Sequence, residues 1–401
     1  MTDADSSTLP RVFLLPGRDK RVGFGHPWAY SNEIRMDPAA KAIAPGACAR
    51  LVRVDGKPVG LGTFNPKTLI AFRIFAREAG ASIDRAFVAQ RMHAALALRQ
   101  RLFAKPFYRL VHAEADGLPG LIVDRFGDVC VLQAGTAGIE NLMPEILAAL
   151  AEVLSPRAVV LANEGPLRAL EGLETYTRLA AGELVGAVEV EENNLVFYAD
   201  PLQGQKTGWF FDQRDNRSFV ADLAKDAGAV LDLYAYTGGF AVQAAAAGAK
   251  RVLAVDSSAP ALELAKKAAV RNGVAEACEF RKDDAFDALE ALAAGNERFD
   301  AVIADPPPFA RSKKDVPAAL KGYRKLARTA AALVRPGGFM FIASCSHNVT
   351  AEAFTLEVAG GISRAGRTGR ILRAAGAGAD HPVHPLLPET AYLKTLTLQL
   401  D

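Results

Sequence analysis

In the second half of the chain, short apolar runs alternate with helical stretches. Residues 229–256 give the clearest example, with an apolar run at 230–233, a turn at 234–239, a helical stretch at 240–247 and a second apolar run at 251–255 that ends in Asp256. Strand, glycine turn, helix, strand and acid in this order predict one βαβ unit.

The same alternation continues after Asp256. It predicts a helix at 259–272, a basic and mostly helical crossover at 311–334, and strands at 279–281, 299–304 and 337–343. Strands that alternate with helices favour a largely parallel sheet, so we expect an α/β domain in this part of the chain.

The first half has a different pattern. Short β-prone runs at 49–54, 59–63 and 69–75 are separated by Asp55-Gly56 and Asn65-Pro66, which predicts a small β domain over residues 11–77. A second α/β segment follows. We expect a helix at 82–100 capped by Ser82, a hairpin of 121–123 with 129–133, a helix at 141–154, and strands at 158–162, 183–192 and 195–199.

Length and charge limit the possibilities only loosely. The 401 residues are enough for two or three domains, and a net charge of +2 neither requires nor excludes nucleic acid. The distribution of charge is more informative, because residues 305–335 contain eight Lys or Arg against two Asp. Such a basic stretch is the footprint expected for a polyanion, although a solvated helix face would look the same.

A second basic cluster, Arg11, Arg18, Lys20 and Arg21, precedes Trp28. A β-barrel with a basic edge can lie on a nucleic-acid backbone, and a purely structural barrel with a buried Trp28 is the alternative.

Targeting and redox features favour the cytoplasm. Residues 1–7 are polar and acidic, without the basic and apolar regions of a secretory signal, and no run is long enough for a membrane span. The four cysteines are far apart and form no C-x-x-C motif, which argues against zinc and disulfide exchange and for a reducing compartment.

The turn after the first apolar run suggests a nucleoside site. Gly238 and Gly239 allow a sharp turn and a close approach of the backbone to a ligand, and Asp256 at a strand end can accept hydrogen bonds from two ribose hydroxyls. The dinucleotide motif G-x-G-x-x-G is absent, which favours S-adenosylmethionine over NAD. A plain βαβ turn with an exposed aspartate is the alternative.

Three further features, two of them at strand ends, could line such a site. Asp284 follows the strand at 279–281 and can accept from an adenine amino group. Residues 305–309, DPPPF, form a stiff loop whose carbonyls can accept from a substrate amine, with Phe309 as a stacking surface. The aromatic and basic segment 205–217 either covers the cofactor or links domains.

Cys345 ends the strand at 337–343, on the sheet edge expected for Asp256 and Asp305. A buried cysteine is usually a small hydrophobic residue, but the proline loop opposite favours a nucleophile here.

Taken together, these motifs resemble the PUA-domain class I RNA methyltransferases of the RlmI type. The resemblance rests on His26-Pro27-Trp28, residues 206–217, 236–240 (YTGGF), 305–307 (DPP), 344–346 (SCS) and 380–382 (DHP), which occur in the family's order. It implies a PUA-like barrel at 1–80, a central α/β domain at 81–200 and a seven-stranded Rossmann-like methyltransferase domain at 201–401.

The resemblance also implies the site residues. Those expected to bind S-adenosylmethionine are Phe211, Asp212, Arg214, Tyr236, Thr237, Gly238, Gly239, Phe240, Asp256, Ser257, Asp284, Ala285 and Asp305. Those expected to contact the substrate are Pro306, Pro307 and Phe309, and the catalytic pair is Cys345 with Asp305.

By the same resemblance, the reaction is methylation of C5 of a cytidine in 23S ribosomal RNA through a covalent bond from Cys345 to C6. The DPPPF loop lacks the second cysteine of another cytosine-C5 group, so the base that removes the C5 proton is unassigned. Alternatives are an N-methyltransferase, which needs no cysteine, a non-catalytic RNA-binding assembly factor, and a nicotinamide oxidoreductase. We expect the protein to bind RNA and not to associate with a membrane. The sequence leaves open whether it forms a homodimer.

Overall fold

The computed structural model describes residues 9–78, 80–165 and 167–401, so the predictions for residues 1–7 lie outside the described residues. The chain divides into two units. One contains the described residues up to Gly186 together with Asp200–Gly208 and Asp380–Pro388, and the other contains Ala187–Ala199, Trp209–Ala379 and Glu389–Asp401. Each unit is therefore built from three separate stretches of the sequence. The predicted boundaries at 80 and 200 stay predictions.

The first unit begins with a five-stranded β-sheet. Its strands are β1 (Arg11–Phe13), β2 (Trp28–Tyr30), β3 (Ala47–Val52), β4 (Pro58–Phe64) and β5 (Ile70–Ala76), in the order β1-β3-β4-β5-β2, with the short helices α1 (Lys20–Gly23) and α2 (Pro38–Lys41) between them. An antiparallel bridge between Leu14 and Ile34 joins the two edges of this sheet. The sheet therefore closes around its apolar side chains as the predicted barrel, and Trp28 is only 8% exposed.

A second five-stranded sheet follows in the same unit. Its strands are β6 (Phe107–His112), β7 (Leu121–Phe126), β8 (Val129–Ala134), β9 (Ala158–Asn163) and β10 (Tyr176–Gly182), in the order β10-β9-β8-β7-β6. Its helices are α3 (Arg85–Leu102), α4 (Ala137–Asn141), α5 (Met143–Leu154) and α6 (Leu167–Leu170). The predicted hairpin of β7 with β8 and the strand β9 are confirmed.

Strand β10 was not predicted, and two further differences from the prediction concern α3 and β6. Asp84, rather than Ser82, caps α3, because its carboxylate accepts from the Phe87 N–H at 2.9 Å while the Ser82 hydroxyl donates to Asp84. Strand β6 was not predicted, since Arg109 interrupts its apolar run; inside the fold that arginine is paired with buried Asp124 at 2.8 Å.

The segment Asp380–Pro388 reaches this unit from late in the chain. Arg99 on α3 donates to the Asp380 carbonyl at 3.0 Å, and the Arg109 N–H donates to the Asp380 carboxylate at 3.0 Å. His381 is also buried here, so the DHP motif has a structural role in the first unit.

The second unit contains a hairpin and a seven-stranded sheet. The hairpin is β11 (Val188–Glu192) with β12 (Leu195–Ala199). The sheet strands are β13 (Val230–Leu233), β14 (Val252–Asp256), β15 (Cys278–Lys282), β16 (Phe299–Ala304), β17 (Val334–Ser344), β18 (Gly369–Ala375) and β19 (Lys394–Leu400), in the order β15-β14-β13-β16-β17-β19-β18. Strand β19 pairs antiparallel to both of its neighbours, and the strands from β13 to β17 pair parallel to one another.

Helices cover both faces of this sheet. They are α7 (Arg214–Leu223), α8 (Gly239–Ala246), α9 (Ala259–Arg271), α10 (Ala285–Ala294), α11 (Val316–Leu333) and α12 (Ala351–Arg364). Leu231 and Leu253 point into the core on one face, and Val230 and Val252 into the core on the other, because successive side chains alternate across a strand. Both faces being buried explains the continuous apolar runs in the sequence.

The order of the strands locates a crevice. Strand β13 connects to β14 on one side and pairs with β16 on the other, so the chain changes direction there. Open α/β sheets bind ligands outside the carboxyl ends of their strands at such a switch point. Among the described residues, no helix has the length and apolar character needed to cross a membrane.

Candidate active site

The turn after β13 has an unusual backbone. Tyr234 and Tyr236 have φ angles of 62° and 48°, and Gly238 has 81°. Side chains rarely adopt this left-handed region, and such strain is concentrated at functional sites. Glycine is required at 238, because a Cβ there would also lie 2.9 Å from the Ala265 Cβ.

Asp256 holds this turn in place. Its carboxylate accepts from the Tyr236 N–H and from the Ser258 N–H, both at 2.8 Å. The side chain is only partly buried at the end of β14, and the neighbouring Ser257 is exposed. A carboxylate has about four lone-pair sites, so Asp256 retains acceptors that point away from these two bonds.

Asp232, inside β13, was not singled out from the sequence. One carboxylate oxygen accepts from the Ala241 N–H at 2.9 Å, and the other has no hydrogen-bond partner among the described residues. Burial raises the pKa of Asp232 well above its usual value, and Asp305 and Asp256 raise this pKa further. The crevice therefore brings three carboxyl groups near one another. A lone acid in the apolar run VLDL was the available signal.

Behind the turn, Glu192 of β11 is fully buried and collects hydrogen bonds. Arg217 donates to it through two nitrogens at 2.6 and 2.9 Å, Trp209 at 3.1 Å and Gln243 at 3.2 Å. Arg217 also packs against Gly239, since a Cβ at that glycine would lie only 2.9 Å from the Arg217 Cδ. The hairpin, residues 209–217 and α8 are thus joined through the buried Glu192 carboxylate.

The 205–217 segment also reaches the proline loop. The side-chain amide of Gln213 donates to the Asp305 carboxylate at 2.9 Å through its nitrogen, and its oxygen accepts from the Asn216 side chain at 2.7 Å. Because Asn216 fixes which end of the Gln213 amide faces Asp305, the orientation of that carboxylate is set from α7. The sequence did not identify Gln213.

Two buried serines flank Cys345 and hold it in place. Ser344 donates to the Tyr323 hydroxyl at 2.8 Å, and Tyr323 and Ser346 are hydrogen-bonded at 2.9 Å. Ser346 Oγ also accepts from the Ala310 N–H at 3.2 Å. Helix α11 and the residue after DPPPF therefore anchor both neighbours of the cysteine.

Cys345 itself is partly buried, and its Sγ lies 3.8 Å from the Pro306 carbonyl oxygen. The predicted approach of the cysteine strand and the proline loop is therefore present. Burial raises the pKa of the other three thiols, to about 12 for Cys130 and about 11 for Cys278, with Cys48 also raised. Those three cysteines are poor thiolates at neutral pH.

The residues of the proline loop differ in how far they are exposed to solvent. Pro306 is buried and Pro307 is exposed. The Phe309 ring packs against the Tyr323 ring at 4.7 Å, so one of its faces is covered. Of this loop, exposed Pro307 and Pro308 and the uncovered part of Phe309 are available to a ligand.

Other predicted cofactor residues support the fold of the site. Asp284 is the N-cap of α10, accepting from the Phe286 N–H at 2.8 Å, and Ala285 is the first residue of that helix. Phe240 lies in the core against Phe341 at 5.0 Å. Buried Asp212 accepts from the Tyr392 hydroxyl at 2.5 Å.

The remaining aromatic and hydroxyl groups line the turn. Buried Phe211 has the Arg214 guanidinium 5.4 Å from its ring centre, and Phe210 meets Tyr236 edge to face at 5.3 Å. The buried Thr237 hydroxyl has no hydrogen-bond partner among the described residues.

Known proteins share this architecture. The chain matches the S-adenosylmethionine-dependent methyltransferase family over residues 170–366 and the PUA-like domain family over residues 12–77. A candidate methyltransferase of known structure from Streptococcus mutans superposes with a TM-score of 0.81 at 20% identity, covering 98% of this chain and all of that one. The predicted fold class and the cofactor, S-adenosylmethionine, are confirmed.

Curated relatives match over nearly the whole chain. The ribosomal RNA large subunit methyltransferase I of Klebsiella pneumoniae is 35% identical over 404 residues, covering 98% of both chains, and that of Alteromonas mediterranea is 34% identical, covering 97% of this chain and 98% of its own. With this similarity from end to end and an S-adenosylmethionine-dependent methyltransferase domain around the crevice, the chain belongs to the ribosomal RNA large subunit methyltransferase I family.

Proposed function

We propose that the protein methylates C5 of a cytidine in large-subunit ribosomal RNA through a transient covalent bond between Cys345 and C6 of the base. The names of the relatives support the RNA substrate. The observation that carries the chemistry is the Cys345 Sγ at 3.8 Å from the Pro306 carbonyl, on the sheet edge that also holds Asp256.

The residues around the turn after β13 fit S-adenosylmethionine. Asp256 has acceptor sites left for ribose hydroxyls, and Gly238 leaves room for close approach of the backbone. The unpartnered oxygen of buried Asp232 fits a ligand that completes its hydrogen bonds, since buried polar groups are rarely left unpaired. Of the other predicted contacts, Asp284 has its second oxygen available for the adenine amino group while it caps α10.

The chemistry follows from the weak nucleophilicity of cytosine C5. Attack of the Cys345 thiolate on C6 forms a carbon–sulfur bond and moves electron density to C5. S-adenosylmethionine supplies an electrophilic methyl group for C5. A base then takes the C5 proton, the carbon–sulfur bond breaks, and the thiolate is restored.

Asp305 suits recognition of the base. Held by Gln213 at 2.9 Å, its carboxylate can accept from the N4 amino group and stabilise a protonated N3 in the adduct. Pro307 and Phe309 provide apolar contact with the ring. A base stacked in a duplex cannot reach such a site, so the target is single-stranded or flipped out.

The proposal is tested by mapping methylated bases in large-subunit RNA from cells with and without the protein. We expect one 5-methylcytidine to disappear in its absence and to return when purified protein and S-adenosylmethionine are added to the unmodified RNA. Loss of an N-methylated base instead would support the N-methyltransferase alternative, and no change would support an assembly factor.

We further propose which basic residues face RNA. Before and along α11, exposed Lys313, Lys314 and Lys321 form no ion pair with any described residue. By contrast, Arg324 pairs with Glu357 at 2.8 Å and Lys325 lies 3.5 Å from Glu290. The paired cations are already neutralised, so we propose that the RNA surface of this region includes the three lysines.

In the barrel, Arg21 is similarly occupied by Glu33 and by the Tyr30 ring, 4.3 Å from the guanidinium. That leaves exposed Arg18 and Lys20 as the barrel residues for phosphate binding.

Charge reversal of Lys313, Lys314 and Lys321 should weaken RNA binding and flatten its salt dependence. Each phosphate that a lysine no longer neutralises should reduce the log–log slope by up to about one unit. Binding isotherms over a range of salt concentrations measure this slope. Lys250→Glu, at the opposite end of the sheet, is the matched control and should leave the slope unchanged. An unaltered slope in the triple variant would remove α11 from the RNA surface.

A reducing, cytoplasmic location fits the free thiols of Cys48, Cys130 and Cys278 and stays a proposal. The oligomeric state is likewise open to measurement.

A further inference from the structure

Lys394 lies across the backbone beside Cys345. It is the first residue of β19 and pairs in register with Ser344 of β17. Its ammonium group donates to the Ser346 carbonyl at 2.7 Å and to the Tyr392 carbonyl at 2.8 Å. The backbone of Lys394 is thus paired with Ser344, the residue before the cysteine, and its ammonium group is bonded to Ser346, the residue after it. The fold therefore places a cation at the loop that carries the thiol.

The charge of Lys394 is coupled to that of Cys345. Burial lowers the pKa of Lys394 to about 8, and the electrostatic attraction of Cys345 opposes this shift. The coupling is reciprocal: if a thiolate favours the ammonium, the ammonium favours the thiolate by the same free energy. At pH 7, below a pKa of about 8, most Lys394 is charged.

Other titratable groups surround the pair. They come from α11, the proline loop, the cysteine loop, the approach to β19 and the turn before α7. In that order they are Tyr323, Asp305, His347, Tyr392 and Asp212. Tyr323 has a pKa raised by burial and engages the two serines, and Tyr392 donates to Asp212. An anionic Asp305 disfavours a second anion nearby, so a thiolate here needs a compensating cation.

We propose that Lys394 is a positioning residue that keeps Cys345 in the thiolate form needed for attack on the base. The inference rests on the proposed role of Cys345 and adds to it the group that activates the nucleophile. The thiol proton leaves to solvent, and the ammonium remains as the counter-ion of the sulfur until the carbon–sulfur bond forms. The hydrogen bonds from Lys394 to Ser346 and Tyr392 meanwhile fix the loop.

The proposal predicts a definite pH dependence. A lysine whose pKa is lowered to about 8 is cationic below that pH and neutral above it, so its support of the thiolate is present below pH 8 and fades as the pH rises through 8. Removing the ammonium should therefore slow the reaction of the Cys345 thiol most at neutral pH and hardly at all at about pH 10, well above the pKa of an ordinary thiol.

The experiment measures alkylation of Cys345 by iodoacetamide in the full-length protein, without RNA, from about pH 5.5 to 10, with each cysteine quantified by mass spectrometry. In the wild type, the half-maximal rate should fall below about pH 8.5, the value for an ordinary thiol. Lys394→Met should raise this midpoint by about one pH unit and slow alkylation at about pH 7 by about tenfold. Lys394→Arg should largely preserve the wild-type profile.

Two controls separate charge from structure. Lys250→Met removes an exposed lysine at the far end of the sheet and should leave the profile unchanged. Within each protein, Cys48 and Cys278 should keep their own rates, which reports that the fold is intact.

Three results would overturn the proposal. They are a wild-type midpoint at or above about pH 8.5, a Lys394→Met profile equal to that of the wild type, or a Lys394→Arg protein as slow as Lys394→Met. The wild-type measurement and the arginine variant decide the matter even if the methionine variant does not fold. Failure of the cytosine mechanism would look different, because RNA methylation would be absent or on nitrogen while the alkylation shift remained.

Discussion

Replacing Cys345 by alanine should abolish methyl transfer while leaving the protein folded and able to bind both S-adenosylmethionine and RNA. Loss of a covalent nucleophile lowers kcat by about 10⁴-fold or more. The thiol acts in the reaction rather than in ground-state binding, so affinities should hardly change. The flanking Ser344 and Ser346 keep their bonds to Tyr323, which preserves the loop. Single-turnover methylation of unmodified RNA, with cofactor binding measured by calorimetry, checks both halves of this expectation.

The covalent step can be trapped directly. RNA with 5-fluorocytidine at the target should form a stable adduct with the wild-type protein, because fluorine cannot leave as the C5 proton does. The adduct should persist in Cys48→Ala, Cys130→Ala and Cys278→Ala. In the wild-type protein burial raises the pKa of each of these three thiols, so none of them is expected to be the nucleophile. It should be absent in Cys345→Ala. Robust methylation by Cys345→Ala would contradict the mechanism and favour the N-methyltransferase alternative.

Arg217→Met should destabilise the second unit by about 3–5 kcal/mol, the usual cost of leaving a buried charge without its partner. The side chains of Arg217 and Glu192 are 4% and 0% exposed and share two hydrogen bonds. After the substitution Glu192 keeps Trp209 and Gln243 as donors and Arg214 as a more distant cation at 3.8 Å, but it loses its close, doubly hydrogen-bonded ion pair. Because Arg217 also packs under Gly239, cofactor affinity should fall as well.

Amide hydrogen exchange of β13 and β14 measures the stability of this unit, and calorimetry measures the affinity. Arg271→Met is the matched control: its ion pair with Glu189 is exposed and long, at 3.9 Å, and its removal should cost less than about 1 kcal/mol. Adding Glu192→Gln to Arg217→Met removes the buried charge that has lost its close partner and should recover part of the stability. Equal stability of Arg217→Met and wild type would show that the pair contributes little.

The sequence by itself determined much of the fold around the candidate site, because its signals are local. Continuous apolar runs marked strands buried on both faces, and Gly238 marked a turn that needs a left-handed residue. Since the carboxyl ends of parallel strands meet at one edge of a sheet, the order of the motifs was enough to place Asp256, Asp305 and Cys345 on that edge. The resemblance supplied the family and the expected chemistry.

Only the tertiary structure decided which polar side chains meet. Arg217 and Glu192 are 25 positions apart and Arg99 and Asp380 are 281 apart, and neither pair has a sequence signature. Lys394 reaches the cysteine loop only because β19 inserts antiparallel beside β17. Short-range patterns report how a segment folds and which of its faces is apolar. A buried charge needs a partner delivered by the topology, and that partner lies at no fixed spacing along the chain.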